Sequence, residues 1–226
     1  MKKIKNKNTA LITSVSILAC ALHAVMLNSP FNFYVYTSAV KVILFILTPA
    51  VYFAVSKGGG FKEMFSRGNK EKVKRSFMLC FCVFAFILLL AAVLSPWLDR
   101  EQIIGGLEHN GITGGTFPFV FAYIVLVNAA LEEVFFRGFV FYTLYRSGLK
   151  RYAYAFSCLL FAFYHAAILG DWVSPGIFIF FMLGLSVAGL IFNELTRRCE
   201  CLTGSLAVHM GANIAINLVV VYYLYF

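Results

Sequence analysis

Three short stretches place ionisable or amide side chains in otherwise apolar sequence. They are Leu131-Glu132-Glu133-Val134-Phe135-Phe136-Arg137-Gly138, Phe161-Ala162-Phe163-Tyr164-His165 and His209-Met210-Gly211-Ala212-Asn213. On a helix Glu133 and Arg137, four apart, share a face and can pair. Arg137 would then hold one carboxylate ionised and fixed. Glu132 points about 100° away on an α-helix and is left for proton chemistry. One Glu–Arg pair would satisfy a purely structural role, whereas a second adjacent Glu is a costly extra in such surroundings. His209 and Asn213 are also four apart and can donate hydrogen bonds toward one point; Asn217 extends the same stripe. Taken singly, His165 also reads as a packing histidine and the His209–Asn213 pair as an interhelical polar clamp.

A carboxylate and a histidine beside one water make a general base and a polariser. A histidine–amide pair is what a developing tetrahedral oxyanion needs. Together they suit hydrolysis of an amide by activated water. Glu132, His165 and His209 also make up a common catalytic zinc set with an open position, so a divalent metal such as zinc stays open. The spacing is not His-Glu-x-x-His, so the sequence itself requires no metal or other cofactor. A serine nucleophile has little support: there is no Gly-x-Ser-x-Gly elbow, and Ser205, four residues before His209, is a weak candidate.

The elements that carry these residues are set by composition. The 226 residues are 61% hydrophobic and only 13% charged, against about 25% charged in soluble domains. So much apolar surface cannot be buried in one soluble core of this size. The expected fold class is all-α, a polytopic integral membrane helical bundle with about seven transmembrane helices. A span needs about 20 mostly apolar residues. Seven stretches qualify, near 9–28, 33–55, 77–98, 117–140, 152–170, 175–195 and 202–225. They form one membrane domain, divided here into an N-terminal three-helix region (1–116) and a catalytic core (117–226). Helical rise places Glu132 and His165 each about 20 Å from their basic anchors Arg146 and Arg151, and His209 about 16 Å from Arg198. All three groups can therefore occupy one layer. His23 and His109 are not expected to join it: His23 has no acidic partner in its span and His109 lies in a loop.

The formal net charge of +9 is distributed as a membrane-orientation signal. The tail holds Lys2, Lys3, Lys5 and Lys7. The connection after the second span holds Lys57, Lys62, Arg67, Lys70, Lys72, Lys74 and Arg75, and later ones hold Arg146, Lys150, Arg151, Arg197 and Arg198. The alternate connections are neutral or acidic, with Asp99, Glu101, Glu108 and Asp171. A multi-pass protein of a bacterial cell membrane with a cytoplasmic N-terminus satisfies every loop. The basic 56–75 connection reads as an orientation determinant that touches anionic lipid. No basic stripe with interleaved aromatics occurs, so no nucleic-acid partner is expected. Lys2–Lys7 before an apolar run also fits a signal peptide, and Ile17-Leu18-Ala19-Cys20 resembles a weak lipoprotein box. The run continues to Leu27, which favours an uncleaved span. Lys41, inside the second span, either snorkels or marks a shifted helix start. The six cysteines show no two-pair spacing of a structural zinc site.

At the three polar stretches the sequence resembles the CPBP family of CAAX proteases and bacteriocin-processing proteins, also called Abi. The pattern is EExxxR, FxxxH and HxxxN on separate transmembrane helices. It reads here as Glu132-Glu133-x-x-x-Arg137, Phe161-x-x-x-His165 and His209-x-x-x-Asn213, within about 117–217. The resemblance implies an intramembrane glutamate-type endopeptidase. It implies that Glu132 and His165 activate water and that His209 and Asn213 stabilise the oxyanion, with Glu133, Arg137 and Phe161 supporting. It implies a peptide or membrane-protein substrate at or near the membrane, and the short lysine-rich chain resembles bacterial members, for which a prenylated substrate is not expected. The alternative is a non-catalytic bacteriocin self-immunity or peptide-binding membrane protein that uses the same polar layer to bind. A small proton-coupled transporter has less support, since no internal repeat is visible.

Overall fold

The structure, a computed structural model, describes residues 2–56, 65, 68–169 and 173–226. Every regular element among them is helical. We label them α1 (Lys2–Leu27), α2 (Tyr34–Ser56), α3 (Lys70–Leu94), α4 (Arg100–His109), α5 (Phe117–Arg146), α6 (Lys150–Leu169), α7 (Pro175–Cys199) and α8 (Thr203–Tyr225). Seven of these, all but α4, are long and apolar enough to cross a membrane. The chain is a polytopic helical membrane bundle.

Two boundaries differ from expectation for local reasons. The third span starts at Lys70 rather than near 77, because the Asn69 side chain caps it by accepting from the Lys72 amide at 3.1 Å. Lys72, Lys74 and Arg75 are therefore helical, and Arg75 pairs with Glu71 one turn back. The acidic connection after the third span contains the unexpected helix α4. Asp99 caps it by accepting from the amides of Glu101 and Gln102, and Leu107 turns inward onto Ile112, Phe117 and Val120. Arg100 fastens α4 to the end of α8, donating to the Tyr223 carbonyl at 3.0 Å. Lys57, Lys62, Arg67 and Asp171, read above as orientation charges, lie outside the described residues.

The bundle is built around α5. Residues Phe135 to Phe141 are buried without exception, as expected of a helix apolar on all sides. Phe45 of α2 stacks on Phe135 at 4.1 Å between ring centroids. Phe136, Phe139 and Tyr164 of α6 complete this aromatic core. Ile12, Ala19 and Cys20 of α1 pack into the same cluster. The helix α3 stands outside, along α8. The pair sits close because Gly204 and Gly211 of α8 offer no Cβ; one on Gly204 would meet Ser76 and Cys199, and one on Gly211 would meet Cys80. The other faces of α3 leave Phe77, Met78, Phe81, Phe86 and Leu89 exposed, a surface that acyl chains cover.

The backbone of α5 is irregular around the Glu132–Glu133 pair. Ile124–Asn128 and Glu133–Tyr142 take the wider π-helical turn, with Ala129–Glu132 α-helical between them. Such widenings occur often at functional sites. A wider turn rotates successive residues by less than the α-helical 100°, so the adjacent carboxylates of Glu132 and Glu133 diverge less than on a regular helix.

Candidate active site

Glu132, Glu133, His165 and His209 meet between α5, α6 and α8. Glu132 Oε2 lies 3.7 Å from His165 Nε2 and 3.6 Å from His209 Nε2. Glu133 Oε1 lies 2.9 Å from His209 Nδ1 and 3.2 Å from an Arg137 nitrogen. Both carboxylates and the guanidinium are at most 1% exposed, His209 5% and His165 18%. His165 is thus the side of the cluster nearest open surface.

The hydrogen bonds fix the protonation pattern of the rings. His165 Nδ1 is 2.7 Å from the Phe161 carbonyl. A carbonyl only accepts, so Nδ1 carries the proton and donates it. His209 Nδ1 likewise donates to the Glu133 carboxylate. In the neutral rings both Nε2 atoms therefore present lone pairs. They face Glu132 Oε2, which has no hydrogen-bond partner among the described residues. Three acceptors converge on one point, and their 3.6–3.7 Å separations are too long for direct hydrogen bonds and suit a bridging donor.

The other oxygen of Glu132 is fully engaged. Lys41 Nζ reaches from α2 and donates to Oε1 at 3.0 Å. Asn128, one turn earlier on α5, donates to the same oxygen at 3.0 Å and accepts from Lys41 through its Oδ1. Lys41 is 7% exposed. It neither snorkels nor marks a helix start, because its helix begins at Tyr34 and a buried carboxylate supplies its partner. Its signal in the sequence was a lone charge inside an apolar span.

The supporting residues form an aromatic cage. The Arg137 guanidinium lies 4.1 Å from the Phe161 ring centroid and 4.7 Å from that of Phe192. Phe192 also stacks on the His209 ring at 5.0 Å, nearly parallel. Phe161 thus contacts Arg137, packs beside His165 and lends it a carbonyl. Phe192 sits in an apolar α7 segment with no pattern to distinguish it, and sequence reasoning missed it. Asn213 sits one turn beyond His209, and one N–H of its amide donates to the Ile124 carbonyl at 3.2 Å, within the π-helical stretch. Asn217 donates to the Asn213 carbonyl. Ser205 is buried, donating to the Leu202 carbonyl and accepting from Thr196.

His23 packs beside this group through Tyr164. It is buried, with its ring 5.3 Å from that of Tyr164, the neighbour of His165, and its Nδ1 has no partner among the described residues. Lys41 Nζ stands over the same Tyr164 ring, 4.9 Å from its centroid. His109 stays at the rim, bonded to Asn32.

A metal fits poorly here. Among the described residues no group of three His, Cys, Asp or Glu is placed to hold one. The carboxylate that would have to bind it already carries the Lys41 ammonium. A surface groove between α6 and α7, beside Lys150, Arg151 and Arg197, has none of these groups in its walls.

The chain is thus a multi-pass helical bundle with a buried polar constellation between α5, α6 and α8. Residues 114–215 match the family model described as type II CAAX prenyl endopeptidase, Rce1-like. The matched segment holds every motif residue and is similar to the CPBP, or Abi, family of CAAX-type intramembrane endopeptidases. No curated protein and no solved structure matches the chain.

Proposed function

We propose that the protein is an intramembrane endopeptidase that hydrolyses a peptide bond of a membrane-proximal protein or prepeptide with water activated by Glu132 and His165. The observation that carries this reading is the convergence of Glu132 Oε2 and two imidazole Nε2 atoms within 3.7 Å. One oxygen of the carboxylate is held by Lys41 and Asn128, and the other is left for chemistry. Water held there donates to Oε2 and to His165 Nε2. Glu132 takes its proton as the oxygen attacks the scissile carbonyl, and returns it to the departing amine. His209 contributes when protonated: Glu133, which accepts from Nδ1–H, stabilises the imidazolium, whose Nε2–H then donates to the oxyanion. Asn213 is the second oxyanion donor. One of its N–H groups is committed to Ile124, and a primary amide has a second to give.

No metal step is part of this mechanism. The loop charges support a bacterial membrane protein with its N-terminus in the cytoplasm, and the substrate is read as non-prenylated. The test is cleavage of a quenched fluorescent peptide library by detergent-purified wild type and Glu132→Gln. Cleavage by the wild type, abolished in the variant, is expected. Equal cleavage by both would refute the mechanism, and wild type that turns over nothing would leave the polar layer as a binding site, the immunity-type alternative.

A further inference from the structure

We infer that Lys41 is a positioning residue for the hydrolytic carboxylate, so that the site is completed by the second helix, outside the segment that matches the family. The inference rests on the endopeptidase reading above.

Lys41 lies 91 residues from Glu132 in the chain. Its ammonium is 3.0 Å from Glu132 Oε1, with side-chain exposures of 8% and 1%. Asn128 bonds both partners, so lysine, amide and carboxylate form a closed three-membered set. Two fixed donors on Oε1 leave the carboxylate one orientation, with Oε2 toward His165 and His209. The ammonium also compensates a second negative charge in this layer. Arg137 contacts Glu133 rather than Glu132, and neither imidazole is within hydrogen-bonding distance of Glu132, their Nε2 atoms lying 3.7 and 3.6 Å from its Oε2. The remaining polar neighbours are His23 from α1 and Tyr164 from α6, whose rings pack against each other, with the Lys41 ammonium 4.9 Å from the Tyr164 centroid. Among the described residues Lys41 is thus the cation in hydrogen-bond contact with Glu132, in a low-dielectric site where an uncompensated charge is costly. Lysine suits this role as a compact point charge.

The experiment compares wild type, Lys41→Gln, Lys41→Arg and Glu132→Gln on one fluorescent peptide that wild type cleaves. Lys41→Gln keeps a donor but removes the charge. We expect kcat to fall by about 10²-fold or more with KM little changed, and Lys41→Arg to recover a measurable part of the loss. A second readout is independent of turnover. In thermal unfolding, Lys41→Gln should lower the transition in wild type and lower it much less when Glu132 is already Gln. Wild-type kcat in Lys41→Gln, with Glu132→Gln inactive, overturns the inference and leaves the endopeptidase reading intact. Additive melting shifts overturn the ion pair itself. Equal cleavage by wild type and Glu132→Gln overturns the endopeptidase reading and the positioning role with it.

Discussion

Glu133 Oε1 lies 2.9 Å from His209 Nδ1, while the opposite nitrogen of the same ring lies 3.6 Å from Glu132 Oε2. One imidazole thus spans two adjacent carboxylates that a regular helix would turn about 100° apart. Glu133 fixes the tautomer and orientation of the ring, and in the proposed mechanism it stabilises the positive charge that His209 must carry to donate from Nε2. In Glu133→Gln the neutral amide keeps an acceptor but loses that charge. We expect kcat to fall by roughly 10²-fold with KM nearly constant, measured by steady-state cleavage of the same peptide. A KM effect alone would reassign Glu133 to substrate binding.

Arg137 is fully buried and its guanidinium is held between Phe161 and Phe192. Arg137→Met keeps much of the volume but leaves the Glu133 carboxylate without its cation. Breaking a buried pair in this way costs about 3–5 kcal/mol. The variant should unfold at a clearly lower temperature in detergent, and adding Glu133→Gln should recover part of the loss. If the double variant is no more stable than Arg137→Met, the guanidinium acts through its aromatic contacts instead.

The motif residues were legible in the sequence because helical spacing alone pairs Glu133 with Arg137, and because charged groups deep in apolar runs are rare. The common depth of Glu132, His165 and His209 followed from counting residues back to basic anchors, and the structure joins the three. Lys41 was visible but misread: snorkelling is a local explanation, and its partner is 91 residues away. The Phe192 contacts and the burial of His23 are products of helix packing, to which neighbouring residues give no clue. The π-helical widening of α5 is likewise absent from the pattern, since a five-residue hydrogen-bond step leaves no periodicity over so short a stretch. The start of α3 was readable in principle from Asn69 as an N-cap, but the apolar run drew the boundary inward.

The α6–α7 contact carries His165 and Phe192 on its two sides, so its spacing matters to the site. A Cβ on Gly189 would sit 2.9 Å from Cys158 Cα, a backbone atom that cannot rotate away, whereas one on Gly184 of the same helix would meet nothing within 4 Å. Gly189→Ala should therefore push the helices apart, cost about 1–3 kcal/mol and lower kcat. Gly184→Ala should be neutral or stabilising by roughly 0.5–1 kcal/mol through helix propensity. Thermal unfolding of both variants checks this, and equal shifts would show that α6 and α7 adjust freely.

Metal dependence separates two uses of the same three side chains. A zinc ion would need Glu132, His165 and His209 on it at about 2.0–2.2 Å. It would then share a carboxylate with an ammonium 3.0 Å away, two cations competing for one anion in a low-dielectric site. Electrostatics therefore favours a protonic occupant, and in the proposed mechanism the Nδ1 bond to Phe161 aims the His165 lone pair at water. We expect prolonged treatment with a strong chelator to leave peptide cleavage unchanged, added zinc not to raise it, and elemental analysis of the purified protein to find less than one zinc per chain. Loss of cleavage on chelation, restored by zinc and abolished by His165→Ala together with zinc binding, would instead make these residues ligands. Lys41 would then have to turn away from Glu132, and Lys41→Gln would bind zinc more tightly than wild type, a sign opposite to the one expected if the lysine holds the carboxylate for proton transfer.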